Sequence, residues 1–199
     1  RIVMTCPSCY HAWHHVYPEV VGELGFEAVH ATQFLAELLE GGRLKLKEGR
    51  PMTVTYHDPC DLGRKSGVYD APRQVLRSIP GLTFLEMSQS RADSLCCGGG
   101  GDIAMYAGDV SGDVAQRRMR QAELVGARYI VSACQQCKRT LADGARKAKI
   151  RIRPIDLTEL VWMSIQNAQA GKALTPAAPV KQPKAAKLQK WGVAQPAQE

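Results

Sequence analysis

The cysteines of this sequence are spaced in a way that points to metal chemistry. Cys60 stands alone after "YHDP", Cys96 and Cys97 are adjacent within "SLCCGGGGD", and Cys134 and Cys137 form "CQQC". The spacing is C-x35-CC-x36-C-x2-C. A bond between the neighbours Cys96 and Cys97 forces strained disulfide geometry. A lone CxxC at a helix start suits a redox pair, because the helix N-terminus lowers the thiol pKa, and it equally suits half of a zinc site. Five thiolates in one crevice carry more negative charge than they hold without a polynuclear cation. A single tetrahedral zinc takes four ligands, whereas soft thiolates suit an iron–sulfur cluster.

The glycines fit the same chemistry. Gly98, Gly99 and Gly100 let bare backbone approach a cluster and offer it N–H groups, which tune its reduction potential. A phosphate loop is the competing reading, but no Lys–Ser/Thr follows the run and no G-x-G-x-x-G sits between strand and helix. His57 and Asp58 precede Pro59 and Cys60. They read chiefly as a turn that pins the cysteine, with His57 a proton donor near the site as the functional alternative. His11, His14 and His15 lack a matching second cluster of ligands and read as surface or packing residues. Arg64 and Lys65 are solvated by default, with steering of an anionic substrate as the alternative.

These residues require strands that end at the cysteines. "RIVMT" is a short apolar strand delivering Cys6, "FEAVHA" a second strand, "MTVTYHD" an alternating strand before Cys60, and "RYIVSAC" an apolar strand ending at Cys134. "LTFLEM" and "IRIRPID" complete the strands, and Cys96–Cys97 is expected to follow one of them by a short loop. Helices are expected over "TQFLAELLE", with Thr32 as N-cap and Gly41–Gly42 as the stop, over "PRQVLRSI", with Pro72 in its first turn, and over 112–126. Two more follow from Cys134 and from Asp156, the latter as N-cap. The stretch after Cys9 suggests one or two helical turns ending near Pro18. "TCPSC" and "SACQQC" look like two copies of one strand–CxxC unit. Strands alternating with helices give an α/β fold of Rossmann-like parallel-sheet layers with the cysteines at strand C-terminal ends, where ligands of such sheets collect.

The chain of 199 residues is 45% hydrophobic and 23% charged, as in ordinary globular domains. Of the net charge of +7, +4 lies in residues 171–199, which hold five lysines and one acid among Ala, Pro and Gln. That composition predicts a disordered basic C-terminal tail and no nucleic-acid face, for which basic and aromatic residues would interleave. No apolar run is long enough to span a membrane. The opening "RIVMTCPSC" has neither an initiator Met nor a secretory h-region, so a fragment of something longer is expected. Clustered cysteines in an α/β pattern favour a reducing compartment.

"HDPCDLGR" (57–64), "CCGGGGD" (96–102) and "CQQC" (134–137) together resemble the cysteine-rich CCG domain over roughly residues 52–165. That domain occurs in heterodisulfide reductase subunits, in the related subunit of sulfite-reductase-associated membrane complexes, and in iron–sulfur subunits of glycolate, lactate and glycerol-3-phosphate oxidation systems. The resemblance implies a non-cubane [4Fe-4S] cluster held by Cys60, Cys96, Cys97, Cys134 and Cys137, at which heterodisulfide reductases cleave a disulfide by successive one-electron transfers. It divides the chain into the end of a preceding CCG repeat (1–50), a CCG iron–sulfur domain (51–170) and a tail (171–199). Cys6 and Cys9 then belong to an incomplete second site. The sequence departs from the pattern at Asp61, where many members have His; the sulfite-reductase-associated subunit is the nearer likeness. The implied partners are a ferredoxin-type iron–sulfur domain or subunit, a membrane electron-transfer subunit and a small sulfur-carrier protein. The implied place is cytoplasmic, peripheral on the inner face of the membrane. Two other readings stand beside this one: an electron relay in a flavin-linked dehydrogenase complex, and a structural zinc domain joining Cys6/Cys9 to Cys134/Cys137.

Overall fold

A computed structural model describes residues 1–49 and 51–170; the predicted tail, 171–199, lies outside the described residues. Two parallel sheets carry the strands. The smaller pairs β1 (Ile2–Met4) with β2 (Ala28–His30), and Met4 aligns with His30. The larger has four strands in the order β4-β3-β5-β6, all parallel: β3 is Met52–His57, β4 Leu82–Phe84, β5 Tyr129–Ser132 and β6 Arg153–Asp156. The chain leaves β3 for β4 on one side and returns to β5 on the other. The strand order therefore reverses between β3 and β5, where a crevice opens beyond the carboxyl ends of such strands. His57 and Ser132, the last residues of the two strands, are register partners, and Ser132 Oγ donates to the His57 carbonyl at 3.2 Å.

Alternation along β3 assigns the two faces. Val54 and Tyr56 join Val131, Ile155, Leu157 and Leu160 in one apolar layer, with Val75 and Leu76 of α4 (Asp70–Arg77) packed on it. Ile130 belongs to the opposite layer with Met119, Ala122, Leu141 and Ala145, contributed by α6 (Gly108–Leu124) and α7 (Gln135–Ala148). Cys97 and Cys137 lie in this second layer. Between them in sequence runs the short helix α5 (Ile103–Tyr106). The last helix, α8 (Leu157–Ala170), starts as expected at Asp156, whose Oδ1 accepts the Thr158 N–H at 2.9 Å.

Three local expectations are corrected. Helix α3 (Ala31–Glu40) is capped by His30 and not Thr32: His30 Nδ1 accepts the Thr32 N–H, and Gln33 Oε1 accepts the His30 N–H at 3.0 Å. An imidazole with a free lone pair serves as well as a hydroxyl there, and it leaves Thr32 inside the helix. Helix α1 (Pro7–His11) does not end near Pro18 but runs through a π-helical turn over Ala12–Val16 into α2 (Tyr17–Val21). Pro18 then sits in the first turn of α2, directly after the π-helical turn. Finally, Cys96 follows β4 by the long segment 85–95, which contains a 3₁₀ turn at Arg91–Asp93, so no short loop connects them.

The buried His30 cap gives a pH prediction for the first unit. Burial holds the His30 pKa down to about 4 from its ordinary 6.5, and protonating Nδ1 would also remove the acceptor that caps α3. A depressed histidine favours folding fully above pH 6.5 and loses that contribution as pH falls toward 4. The loss is on the order of 3 kcal/mol. Urea titrations at pH 7 and pH 4.5 are expected to show this difference, and a His30→Asn variant to show less of it.

Candidate metal centre

The crevice between β3 and β5 gathers the five cysteines. β3 ends at His57 and delivers Cys60 through Asp58 and Pro59; β5 ends at Ser132 and delivers Cys134 as the N-cap of α7. Cys134 Sγ accepts the Cys137 N–H at 3.5 Å, as Cys6 Sγ accepts the Cys9 N–H at 3.4 Å at the start of α1. The two strand–CxxC copies seen in the sequence thus share one capping geometry. Cys60 interacts with Cys96, Cys96 with Cys97, Cys97 with Cys137, and Cys137 with Cys134, so the five thiols form one unbroken row of interacting neighbours.

The row ionises only in part on its own. Cys96 receives the Cys60 and Cys97 thiols, and the Gly98 N–H as well, so its pKa is held far below the usual thiol range. Cys134 receives Cys137 and falls to about 7. The donors move the other way. Cys60 and Cys137 rise because a neighbouring sulfur accepts their protons and burial opposes charge. At Cys97 the Cys137 thiol pulls down, but Cys96 and burial outweigh it and push the pKa up to about 12. Without a cation the sulfurs share protons; a cation of sufficient charge and breadth replaces them.

Breadth separates one metal from several. A zinc–sulfur bond of about 2.3 Å places tetrahedral sulfurs about 3.8 Å apart. Among the described residues, the set of three or more metal-ligating atoms mutually within 4.8 Å is His57, Cys97 and Cys137. Cys6, Cys9, Cys134 and Cys137 form no such set, so the four-cysteine zinc arrangement is not assembled. A row of five thiols, each interacting with the next, fits a wider, polynuclear group, and the donor set is all soft thiolate.

Backbone donors complete the cradle. The Gly98 N–H donates to Cys96 Sγ at 3.3 Å and the Gly99 N–H to Cys97 Sγ at 3.4 Å. Packing within the protein gives a further reason for glycine here. A Cβ on Gly98, whose φ is +86°, would lie 2.6 Å from the Ser111 carbonyl oxygen of α6, and one on Gly99 would lie 2.0 Å from Thr140 Oγ1 of α7. The glycines therefore let the loop lie flat on two helices. Gly100 is exposed with open space around it, and its carbonyl accepts from Ile103. Gly98→Ala is expected to destabilise the fold by about 2 kcal/mol or more, from left-handed backbone and overpacking together. Thermal unfolding measures this.

Two buried arginines flank the segment 57–60, and neither stands out in the sequence. Arg73 of α4 holds both oxygens of Asp58, at 2.7 and 3.0 Å, and both of Glu86, at 2.9 Å each; the Arg91 N–H also donates to Asp58 at 2.9 Å. Asp58 is thus a buried ion-pair partner and more than a turn residue. On the other face, Arg118 of α6 donates from Nε to His57 Nδ1 at 3.1 Å. The signal for both lay in the helix pattern: Arg118 falls on the buried stripe of Ser111, Ala115 and Ala122, and Arg73 lies among Pro72, Val75 and Leu76.

The first CxxC stands beside the row. Asp61 accepts from Ser8 Oγ and pairs with Lys65 at 2.7 Å, and Gln135 Nε2 donates to the Thr5 carbonyl at 3.3 Å. Cys9 is exposed, and its sulfur contact is with Cys6. The His15 ring packs at a tilt against those of His11 and His14, with centroids 5.0 and 4.5 Å apart, and the three do not converge with cysteines or acids into a ligand set among the described residues. Arg64 is exposed, donating to the Ala92 carbonyl at 3.4 Å.

Residues 54–142 match the model of the CCG family, a cysteine-rich domain. The chain is 40% identical over 162 residues to one of the subunits of the dihydromethanophenazine:CoB–CoM heterodisulfide reductase of Methanosarcina barkeri, covering 81% of this chain and 40% of that protein. It is 36% identical to FadF of Bacillus subtilis, a probable iron-sulfur-binding oxidoreductase, covering 84% of this chain and 24% of that one. It is 31% identical to the EtfAB:quinone oxidoreductase of Syntrophomonas wolfei, covering 83% and 24%. The chain thus spans about two fifths or less of the length of these relatives.

Proposed function

This chain carries a cysteine-rich CCG domain over residues 54–142, and from that premise we propose that Cys60, Cys96, Cys97, Cys134 and Cys137 hold a non-cubane [4Fe-4S] cluster that reduces a disulfide or oxidises the corresponding thiols. The observation that carries the reading is the unbroken row of five sulfurs at the β3/β5 crevice. When bound, the cluster supplies single electrons. The chain's own residues do the rest: five cysteines ligate, Gly98 and Gly99 hold two of the sulfurs by N–H donation, and His57 stands buried beside the row with Nε2 unpartnered. Reducing a disulfide to two thiols takes two electrons and two protons. In this reading the electrons come from a ferredoxin-type iron–sulfur domain or subunit and the two protons from solvent, while His57, whose Nδ1 accepts from Arg118, offers the row an Nε2–H hydrogen bond.

The fuller setting belongs to the same proposal. Residues 1–50 are the end of a preceding CCG repeat that leaves Cys6 and Cys9 as an incomplete second site, and 51–170 form the iron–sulfur domain. The complex sits on the inner face of the cytoplasmic membrane with a membrane electron-transfer subunit, acts in sulfur metabolism, and takes a small sulfur-carrier protein as substrate. Among the described residues no helix is long and apolar enough to cross a membrane, so attachment would come through partners.

A second reading is favoured by the likeness to an iron–sulfur-binding oxidoreductase and a quinone oxidoreductase. There the cluster only relays electrons within a flavin-linked dehydrogenase complex. EPR of the oxidised, cluster-loaded chain with and without a panel of thiols separates the two. A thiol-dependent change in the spectrum supports substrate chemistry at the site; a spectrum indifferent to every thiol, with rapid reduction by a flavoprotein donor, supports the relay.

A further inference from the structure

We propose that Arg118 fixes His57 as an Nε2–H hydrogen-bond donor to the cluster site, keeps it out of the metal-ligand set, and places a buried positive charge beside the sulfurs. The inference rests on the reading of the five cysteines as cluster ligands.

Geometry fixes the proton. A guanidinium has donors and no acceptor. Because Arg118 Nε donates to His57 Nδ1 at 3.1 Å, Nδ1 must present its lone pair. In the neutral ring the proton then sits on Nε2. That atom is buried and has no hydrogen-bond partner among the described residues, and a ring nitrogen of His57 lies within 4.8 Å of the Cys97 and Cys137 sulfurs. With Nδ1 taken, Nε2–H is the group of the ring that still has a hydrogen bond to give. Metal-bound histidines show the reverse arrangement, donating their second N–H to a carboxylate or carbonyl. A donor at Nδ1 would force an Nε2-bound ring to be an imidazolate. His57 therefore serves as donor and not as ligand.

Charge gives the second argument. Arg118 is fully buried, and its remaining contacts are neutral: the Gln89 carbonyl at 2.7 Å, Gln121 Oε1 at 2.7 Å and Ser94 Oγ at 2.9 Å. Among the described residues it has no ion pair, unlike Arg73, whose two carboxylates lie within 3.0 Å. A buried charge without a counterion is costly, so an anion belongs within reach. Asp58 and Glu86, the carboxylates that Arg73 holds, act on Arg118 from beyond hydrogen-bond reach, and Cys137 of the sulfur row adds to them; burial on that side of the sheet leaves the interaction with the sulfurs poorly screened.

The test uses the full chain loaded with iron and sulfide, in the wild type and in Arg118→Gln, Arg118→Lys and His57→Gln. Arg118→Gln is expected to bind the cluster but to shift its midpoint potential to more negative values, because a positive charge near the reduced, more anionic state is gone. Arg118→Lys is expected to recover most of the potential while losing the fixed tautomer, since an ammonium lacks the positioned Nε. His57→Gln is expected to keep its full iron content. The ¹⁵N shifts of His57 in reduced, metal-free protein report the tautomer directly, with Nε2–H expected in the wild type and a tautomer mixture in Arg118→Lys. The proposal is overturned if His57→Gln loses iron, or if wild-type His57 carries its proton on Nδ1. It is equally overturned if the arginine variants that fold keep both the native tautomer and the native potential; should Arg118→Gln fail to fold, Arg118→Lys and His57→Gln decide. A wild-type chain that takes up no iron defeats the cluster reading itself, and with it the donor role, whatever the tautomer spectrum shows.

Discussion

Cys97→Ala is expected to abolish cluster binding while leaving the domain folded. Cys97 is the middle of the sulfur row, interacting with Cys96 on one side and Cys137 on the other, and it is 3% exposed. Removing it splits the row into the pairs Cys60/Cys96 and Cys134/Cys137, neither of which neutralises a polynuclear iron group. Iron content is expected to fall from about four per chain to below about one. Trimming one sulfur from the layer of Met119, Ile130 and Leu141 leaves a small cavity, worth about 1 kcal/mol, so circular dichroism and unfolding change little. Cys9→Ala is the control: its sulfur contact is with Cys6, so uptake at the five-cysteine site persists. Equal iron loss in both variants would mean that the two CxxC pairs act as one site.

Arg73→Met is expected to be the most destabilising single change on the other side of the crevice. The guanidinium is fully buried, holds Asp58 and Glu86 with four hydrogen bonds, lies 5.3 Å over the Tyr56 ring, and donates to the Tyr69 carbonyl at 2.8 Å. Taking it away leaves the Asp58 carboxylate buried with one backbone donor, from Arg91. Breaking a buried pair from one side costs about 3–5 kcal/mol. Replacing both partners, as in Arg73→Met with Asp58→Asn, is expected to recover part of that loss in denaturant titrations. Because Asp58 sits two residues before Cys60, the single variant is also expected to loosen the ligand loop and slow cluster loading. A single variant as stable as the wild type would show that Asp58 reaches water in solution.

The chemistry was more legible in the sequence than its supports. Cysteine spacing and the strand pattern of "MTVTYHD" and "RYIVSAC" were enough to place Cys60 and Cys134 beyond strand ends, because alternation and apolar runs are local signals. The parallel order β4-β3-β5-β6, which makes β3 and β5 neighbours, is a long-range property that no local window carries. Arg73 and Arg118 look like ordinary helical charges in "PRQVLRS" and "QRRMRQ", since burial of a cation depends on partners far away in sequence. The only local clue is position: each lies on the apolar stripe of its helix. Gly98 and Gly99 were found for their N–H groups, yet the crowding that demands glycine comes from Ser111 and Thr140, on helices whose approach the sequence does not reveal.

The central claim, that the five sulfurs hold one polynuclear iron–sulfur group, is tested most directly by metal and sulfide analysis of anaerobically reconstituted protein combined with thiol alkylation. The account predicts iron and acid-labile sulfide in equal amounts, about four of each per chain, with broad visible charge-transfer absorption. Cys60, Cys96, Cys97, Cys134 and Cys137 should be protected from alkylation while exposed Cys9 reacts. Zinc at one per chain, no labile sulfide, and free alkylation of Cys60 and Cys96 would contradict it.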